Sequence, residues 1–198
     1  MRRPLSFGRR LLHDRACSRW RHSFAAVMLL LVIGRTAQAA PESGNEYAVK
    51  AAFLFHFAQL TTWPSQTFAR PDSPVVFCTI GKDPFDGVLD SAVAGKKVQG
   101  HPVRVTHLKQ PSGIQSCHLL FVGAQETAKV ATLTTTLRGV PVLTVGETDD
   151  FLKQGGMIDF RSERERLRFD VNLGPAQSSN LGFSSTLLSL ARNVIQPH

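Results

Sequence analysis

Pro74-Val75-Val76-Phe77-Cys78-Thr79-Ile80-Gly81 decides the fold. It is a short, continuously apolar run closed by glycine, and a run without polar alternation marks a strand buried on both faces. Behind it, KDPFDGVLDSAVAG offers Asp83 as an N-cap and Pro84 at the first helical position, which predicts a short helix to Ala94. The alternation then repeats: VQGHPVRVTHL as a strand, CHLLFVG as a strand, TAKVATLTTTLRG as a helix ending at Gly139, and PVLTVGE as a strand. Apolar strands alternating with helices mean βαβ units and a largely parallel sheet.

Upstream, GNEYAVKAAFLFHFAQLTTWP predicts a helix closing at Trp63-Pro64, with Tyr47, Phe53, Leu54, Phe57 and Leu60 forming a broad apolar face. Downstream the pattern changes. MIDFR and LRFDVNL alternate on either side of a charged SERER turn, predicting an antiparallel hairpin with Ile158, Phe160, Leu167, Phe169 and Val171 inward. Ser184-Ser185 can cap a last helix whose stripe Phe183, Leu187, Leu190, Ala191 and Val194 docks on the sheet. The expected architecture is a single-domain α/β sandwich: a largely parallel sheet flanked by helices, with a C-terminal antiparallel hairpin and a closing helix.

The N-terminus reads as a secretory signal. An arginine-rich segment precedes ten apolar residues, Phe24–Ile33, followed by the small-x-small site Ala37-Gln38-Ala39. Ten residues are too few to cross a bilayer, which takes roughly 20. Cleavage after Ala39 predicts a signal peptide over 1–39 and one domain over 40–198, placed in the periplasm. The signal also carries most of the charge. Its eight Arg and one Asp account for +7 of the formal net +8, leaving +1 on the remaining 159 of 198 residues. The basic balance therefore belongs to targeting and gives no support for nucleic-acid binding, which needs a basic patch on the folded domain.

Export also fixes the expected fate of the cysteines. Cys17 leaves with the signal, and Cys78 and Cys117 remain in an oxidising space, which favours a disulfide between them over a nucleophile or a metal site. A metal site at Cys117-His118 would need two more placed ligands, and His56, His101, His107 and His198 show no ligand spacing. No catalytic or cofactor motif survives inspection. IGKDPFDG lacks the spacing of a phosphate loop, and GFSST is a helix cap rather than a nucleophile elbow. Glu147, Asp149 and Asp150 lack the order of a calcium loop. Arg161, Arg164, Arg166 and Arg168, interleaved with Glu163 and Glu165, form either a solvated hairpin face or a partner-binding edge. A small-molecule binder would use the carboxyl ends of the parallel strands, near Gly81, Gly123 and Gly146.

The ordered series YAVKAAFLFHFAQLTTWP, FCTIGKDPFDGVL, CHLLFVG, PVLTVGE, GGMIDF, LRFDVNL and LGFSSTLLSLAR resembles the YfiR family over nearly the whole chain beyond the signal. The resemblance implies a non-enzymatic periplasmic regulator that binds and represses the sensor domain of an inner-membrane diguanylate cyclase. It would thereby couple envelope or redox state to cyclic-di-GMP signalling. An OmpA-like outer-membrane lipoprotein is the implied sequestering partner, and a homodimer is a further candidate assembly. The family's paired cysteines map onto Cys78 and Cys117. The competing expectation is a periplasmic small-molecule-binding or transporter-associated accessory protein.

Overall fold

The computed structural model of the chain describes residues 42–163 and 166–197. The segment read as a signal peptide and Arg164 of the hairpin lie outside the described residues. Helix α1 spans Glu42–Gln59 and is followed by the two-residue strand β1, Thr61–Thr62. Then come β2 (Val75–Ile80), α2 (Val88–Val93), β3 (Lys97–Val98), β4 (His101–Leu108) and β5 (Leu119–Val122). A 3₁₀ stretch, Ala124–Lys129, leads into α3 (Val130–Thr136) and β6 (Leu143–Gly146). The chain ends with β7 (Ile158–Glu163), β8 (Arg166–Asn172), α4 (Leu173–Ser178), β9 (Gly182–Phe183), α5 (Ser185–Leu190) and β10 (Asn193–Ile195).

Eight strands form one sheet in the order β10-β8-β7-β6-β5-β2-β4-β3, and β1 pairs with β9 apart from it. Within the sheet β7–β8 and β3–β4 are antiparallel, and the other neighbouring pairs are parallel. The expected mixed α/β sheet with a C-terminal antiparallel hairpin is therefore what the chain forms. Alternation along β2, β5 and β6 builds two cores. Phe77, Leu119, Phe121, Leu143 and Val145 pack with α1 and α2, whereas Cys78, Ile80, Leu120 and Val122 pack with α3. Both sheet faces are covered, as a parallel sheet requires.

Several element boundaries differ from expectation for local reasons, among them the VQGHPVRVTHL run, which a turn at Gln99 (φ 51°) and Gly100 (φ 89°) breaks into the antiparallel pair β3 and β4. The Asp83 side chain accepts a hydrogen bond from the Phe85 N–H at 3.2 Å, making a turn rather than a helix cap. Asp86 (φ 47°) and Gly87 (φ 79°) then force a left-handed bend, so α2 begins only at Val88. Helix α1 stops at Gln59, four residues before Trp63, because the chain turns extended and β1 finds β9 as a partner. The closing helix is capped by Ser184, whose hydroxyl accepts from the Leu187 N–H at 3.2 Å. It ends at Leu190, however, and Val194 lies in β10, which pairs parallel with β8 and satisfies that strand's outer backbone.

Candidate functional site

Strands β2, β5 and β6 end together at Gly81, Gly123 and Gly146, the crevice where open α/β sheets usually bind ligands. Here the chain's own side chains fill that place. Glu147, the residue after β6, reaches back with its carboxylate. Oε1 accepts from the Tyr47 hydroxyl at 3.0 Å and from the Ala124 N–H at 2.9 Å, and Oε2 accepts from Lys50 Nζ at 2.6 Å. Lys50 is buried and also meets Glu46 at 2.6 Å. Phe85 closes edge-to-face on Tyr47, with ring centroids 5.3 Å apart. Burial, then the Glu147 charge, pushes the Tyr47 phenol above its ordinary value, so it stays a hydrogen-bond donor at any physiological pH. These groups are engaged with one another, and α1 is thereby fastened across the ends of the parallel strands. Sequence reading missed this cluster because Tyr47 and Lys50 lie about a hundred residues from Glu147 and no spacing links them.

The arginine hairpin divides. Register pairs Arg161 with Arg168, Glu163 with Arg166 and Asp159 with Asp170, placing all six on one face. Arg161 is turned inward to acids: Nη1 lies 2.7 Å from Asp149 Oδ1 and Nη2 lies 2.7 Å from Asp159 Oδ2. Arg166 and Arg168 are exposed. Asp159 is fully buried, and Arg161 approaches it off the line of a hydrogen bond, so its oxygens lack an aligned donor. Burial first, then the negative charges of Asp170 and Asp149, pushes its carboxyl up to about 7 against the pull of Arg161. Asp170 is better served. Arg192 grips it with two hydrogen bonds, Nε to Oδ1 at 2.9 Å and Nη2 to Oδ2 at 2.5 Å. Arg192 is a second residue that sequence reading did not find, since it lies on the turn beyond α5 and reaches the hairpin only once β10 docks.

Cys78 in β2 and Cys117, two residues before β5, form a disulfide with Cα atoms 5.9 Å apart. The two half-cystines are buried in the α3-side core. Neighbouring His118 is structural: its Nδ1 accepts from the Val76 N–H at 3.1 Å, and its ring stacks on Phe68 with centroids 4.9 Å apart. Phe68 in turn stacks on His101 at 4.0 Å, whose Nδ1 contacts the Ser73 carbonyl at 2.8 Å. Burial and the nearby His101 push His118 below its usual value, which keeps the ring neutral and able to accept that bond. Among the described residues, no three His, Cys, Asp or Glu side chains are grouped to hold a metal ion.

An apolar groove of about 390 Å³ runs between α1 and α5, lined by Phe53, Phe57, Phe169, Leu187 and Leu190. Leu190 stands 59% exposed at its rim.

No curated protein matches the chain. Among solved structures it is similar to a conserved domain protein from Vibrio cholerae, at 7% identity and a TM-score of 0.45, over 61% of this chain and 54% of that one. It is also similar to an ABC domain from Streptococcus pneumoniae solved in complex with L-Trp, at 9% identity and a TM-score of 0.48, over 72% and 60% of the two chains. The chain thus spans little more than half the length of either, and likenesses this weak carry no argument. The family comparison is of another kind, because residues 47–192 match the YfiR/HmsC-like family, from Tyr47 on the Glu147 cluster to Arg192 on Asp170. The match takes in every strand of the sheet except β10, and the chain belongs to that family.

Proposed function

We propose that the chain is an exported regulator of cyclic-di-GMP signalling that binds the periplasmic sensor domain of an inner-membrane diguanylate cyclase and represses it. The observation that carries the reading is the family match over residues 47–192. Two features of the fold support it. The Cys78–Cys117 bridge suits an oxidising compartment. The usual ligand crevice is filled by Glu147, Tyr47 and Lys50, which removes the seat that the small-molecule reading expected near Gly81, Gly123 and Gly146.

Control from the periplasm must pass through a membrane protein whose two conformations bind the regulator with different affinity. Moving a cyclase from mostly active to mostly repressed takes about 5 kcal/mol of differential binding. A single interface of ordinary size can supply that. The exposed Arg166 and Arg168 supply a basic contact edge for the sensor domain, and an OmpA-like outer-membrane lipoprotein competes for the regulator when the envelope is stressed.

Deleting the gene should raise cellular cyclic-di-GMP and biofilm, and complementation should restore both. The double variant Arg166→Glu/Arg168→Glu should fold normally, complement poorly and lose about tenfold or more in affinity for the sensor domain. Unchanged cyclic-di-GMP in the deletion strain, under both reducing and oxidising envelope conditions, would overturn the repressor reading. Normal complementation by the double variant would remove the hairpin from the interface.

A further inference from the structure

On the α3 side of the sheet a cavity of about 310 Å³ opens between α3, the segment before β7, and α4. That volume is at the lower end of the range that holds small organic ligands, roughly 300 to 1,000 Å³. Its chemistry is one-sided. Arg138 is the single charged residue on its wall, and no carboxylate lines it. Among the described residues Arg138 enters none of the ion pairs, whereas Arg161 and Arg192 each hold an acid. An uncompensated guanidinium beside a partly enclosed space attracts an anion and can hold a carboxylate or phosphate with two parallel hydrogen bonds.

The remaining wall supplies polar anchors and an apolar floor. Thr144, on β6, is 3% exposed, and its hydroxyl accepts the Met157 N–H at 3.1 Å, which leaves its own proton free to donate. Ser179, 2% exposed, also lines the cavity, with its backbone N–H already bonded to the Pro175 and Ala176 carbonyls at 3.1 Å. The Thr134 hydroxyl bonds the Gln154 carbonyl at 2.5 Å and so fixes α3 to the segment before β7, holding the cavity's width. Met157 and Pro175 provide the apolar surface.

We propose that this cavity binds a small organic anion, a carboxylate or phosphate ester carrying a short apolar body, with Arg138 as its charge partner and Thr144 and Ser179 as hydrogen-bonding anchors. The site does not depend on the cyclase reading. It would give the regulator a chemical input separate from its disulfide.

The test uses benzoate and phenyl phosphate as anionic probes and benzyl alcohol as a neutral one, titrated into the purified protein and followed by amide chemical shifts. The anions should bind with Kd on the order of 1 mM and shift the Thr144, Gly155 and Ser179 amides, with the stronger arm separating carboxylate from phosphate ligands. Benzyl alcohol should bind about tenfold more weakly. Arg138→Gln, at an exposed position, should reduce anion binding by about the same factor, and Arg138→Lys, which keeps the charge but not the paired hydrogen bonds, should fall between wild type and Arg138→Gln, so that a graded loss reports charge rather than folding. Equal binding of neutral and anionic probes, unchanged binding in Arg138→Gln, shifts confined to another surface, or no binding at all would each overturn the proposal.

Discussion

Asp159 is a carboxyl held where a carboxylate is expensive. It is fully buried on the hairpin's polar face, its proton affinity is raised to about 7, and its unfolded reference is 3.8. The sign follows from proton counting. Below about pH 4 both states hold the proton and the site costs nothing. Between about 4 and 7 the folded state keeps a proton that the unfolded chain releases, so stability falls as pH rises and levels off above about 7. Asp159→Asn should flatten that slope and make the protein more stable at pH 8 by about 2 kcal/mol, allowing for the lost attraction to Arg161. Denaturant melts at pH 5, 6, 7 and 8 check this, and equal slopes in the two proteins would show that the burial cost is met elsewhere. Nothing in MIDFR or LRFDVNL announces the site. The sequence pattern shows which hairpin residues face the core, but not that the register sets two aspartates opposite each other.

At the scale of elements, the strand ends are held by a wedge. Phe151, wholly buried, fits between Gly146 and Gly156, and a methyl added to either glycine would overlap its ring. Gly156→Ala should therefore lower stability by about 1 to 3 kcal/mol through overpacking. Gly174→Ala is the control, because the nearest atom to its added methyl is Asn172 Oδ1 at 3.4 Å and the cost should be a few tenths of a kcal/mol. Urea midpoints distinguish the two, and equal losses would mean that Phe151 simply moves aside. The same scale shows what a sequence can display. Buried strands β2, β5 and β6 were legible because their apolar runs contrast with flanking Gly, and β7–β8 because alternation has its own period. Helix α4 was not, since Gly174-Pro175 reads as a loop, and only Asn172, whose side chain accepts the Gly174 N–H at 3.1 Å, marks its start. Of the candidate site, the disulfide was legible, because export leaves two cysteines in an oxidising space. The Glu147 cluster and the Asp170–Arg192 grip depend on tertiary approach, which no local pattern encodes.

At the scale of the whole molecule, the described residues form two cores on one sheet, and of these two the α3-side core contains the disulfide. That core is the smaller one, built around Ile80, Leu120, Val122, Leu133 and Phe151, so covalent fastening between β2 and β5 matters most there. Closing a loop with a sequence separation of 39 contributes about 4 kcal/mol in the chain-entropy account. Domains of this size are stable by only about 5 to 15 kcal/mol, so the bridge is a large share. Cys78→Ser should therefore lower stability by about 2 to 4 kcal/mol, and Cys117→Ser by the same amount, because both remove one bond. The double variant should be no worse than either single one, since a lone thiol adds no further loss. If the regulator acts by binding its target when folded, this thermodynamic loss becomes a signalling loss by mass action. Cells carrying Cys117→Ser should then show cyclic-di-GMP between that of the wild type and that of the deletion, moving toward the deletion as temperature rises. Reductant should shift the wild-type denaturation midpoint to that of the double variant while leaving the double variant unmoved. A wild-type midpoint that ignores complete reduction would show that the α3-side core stands without its bridge, and envelope redox state would then have no route to the target through this bond.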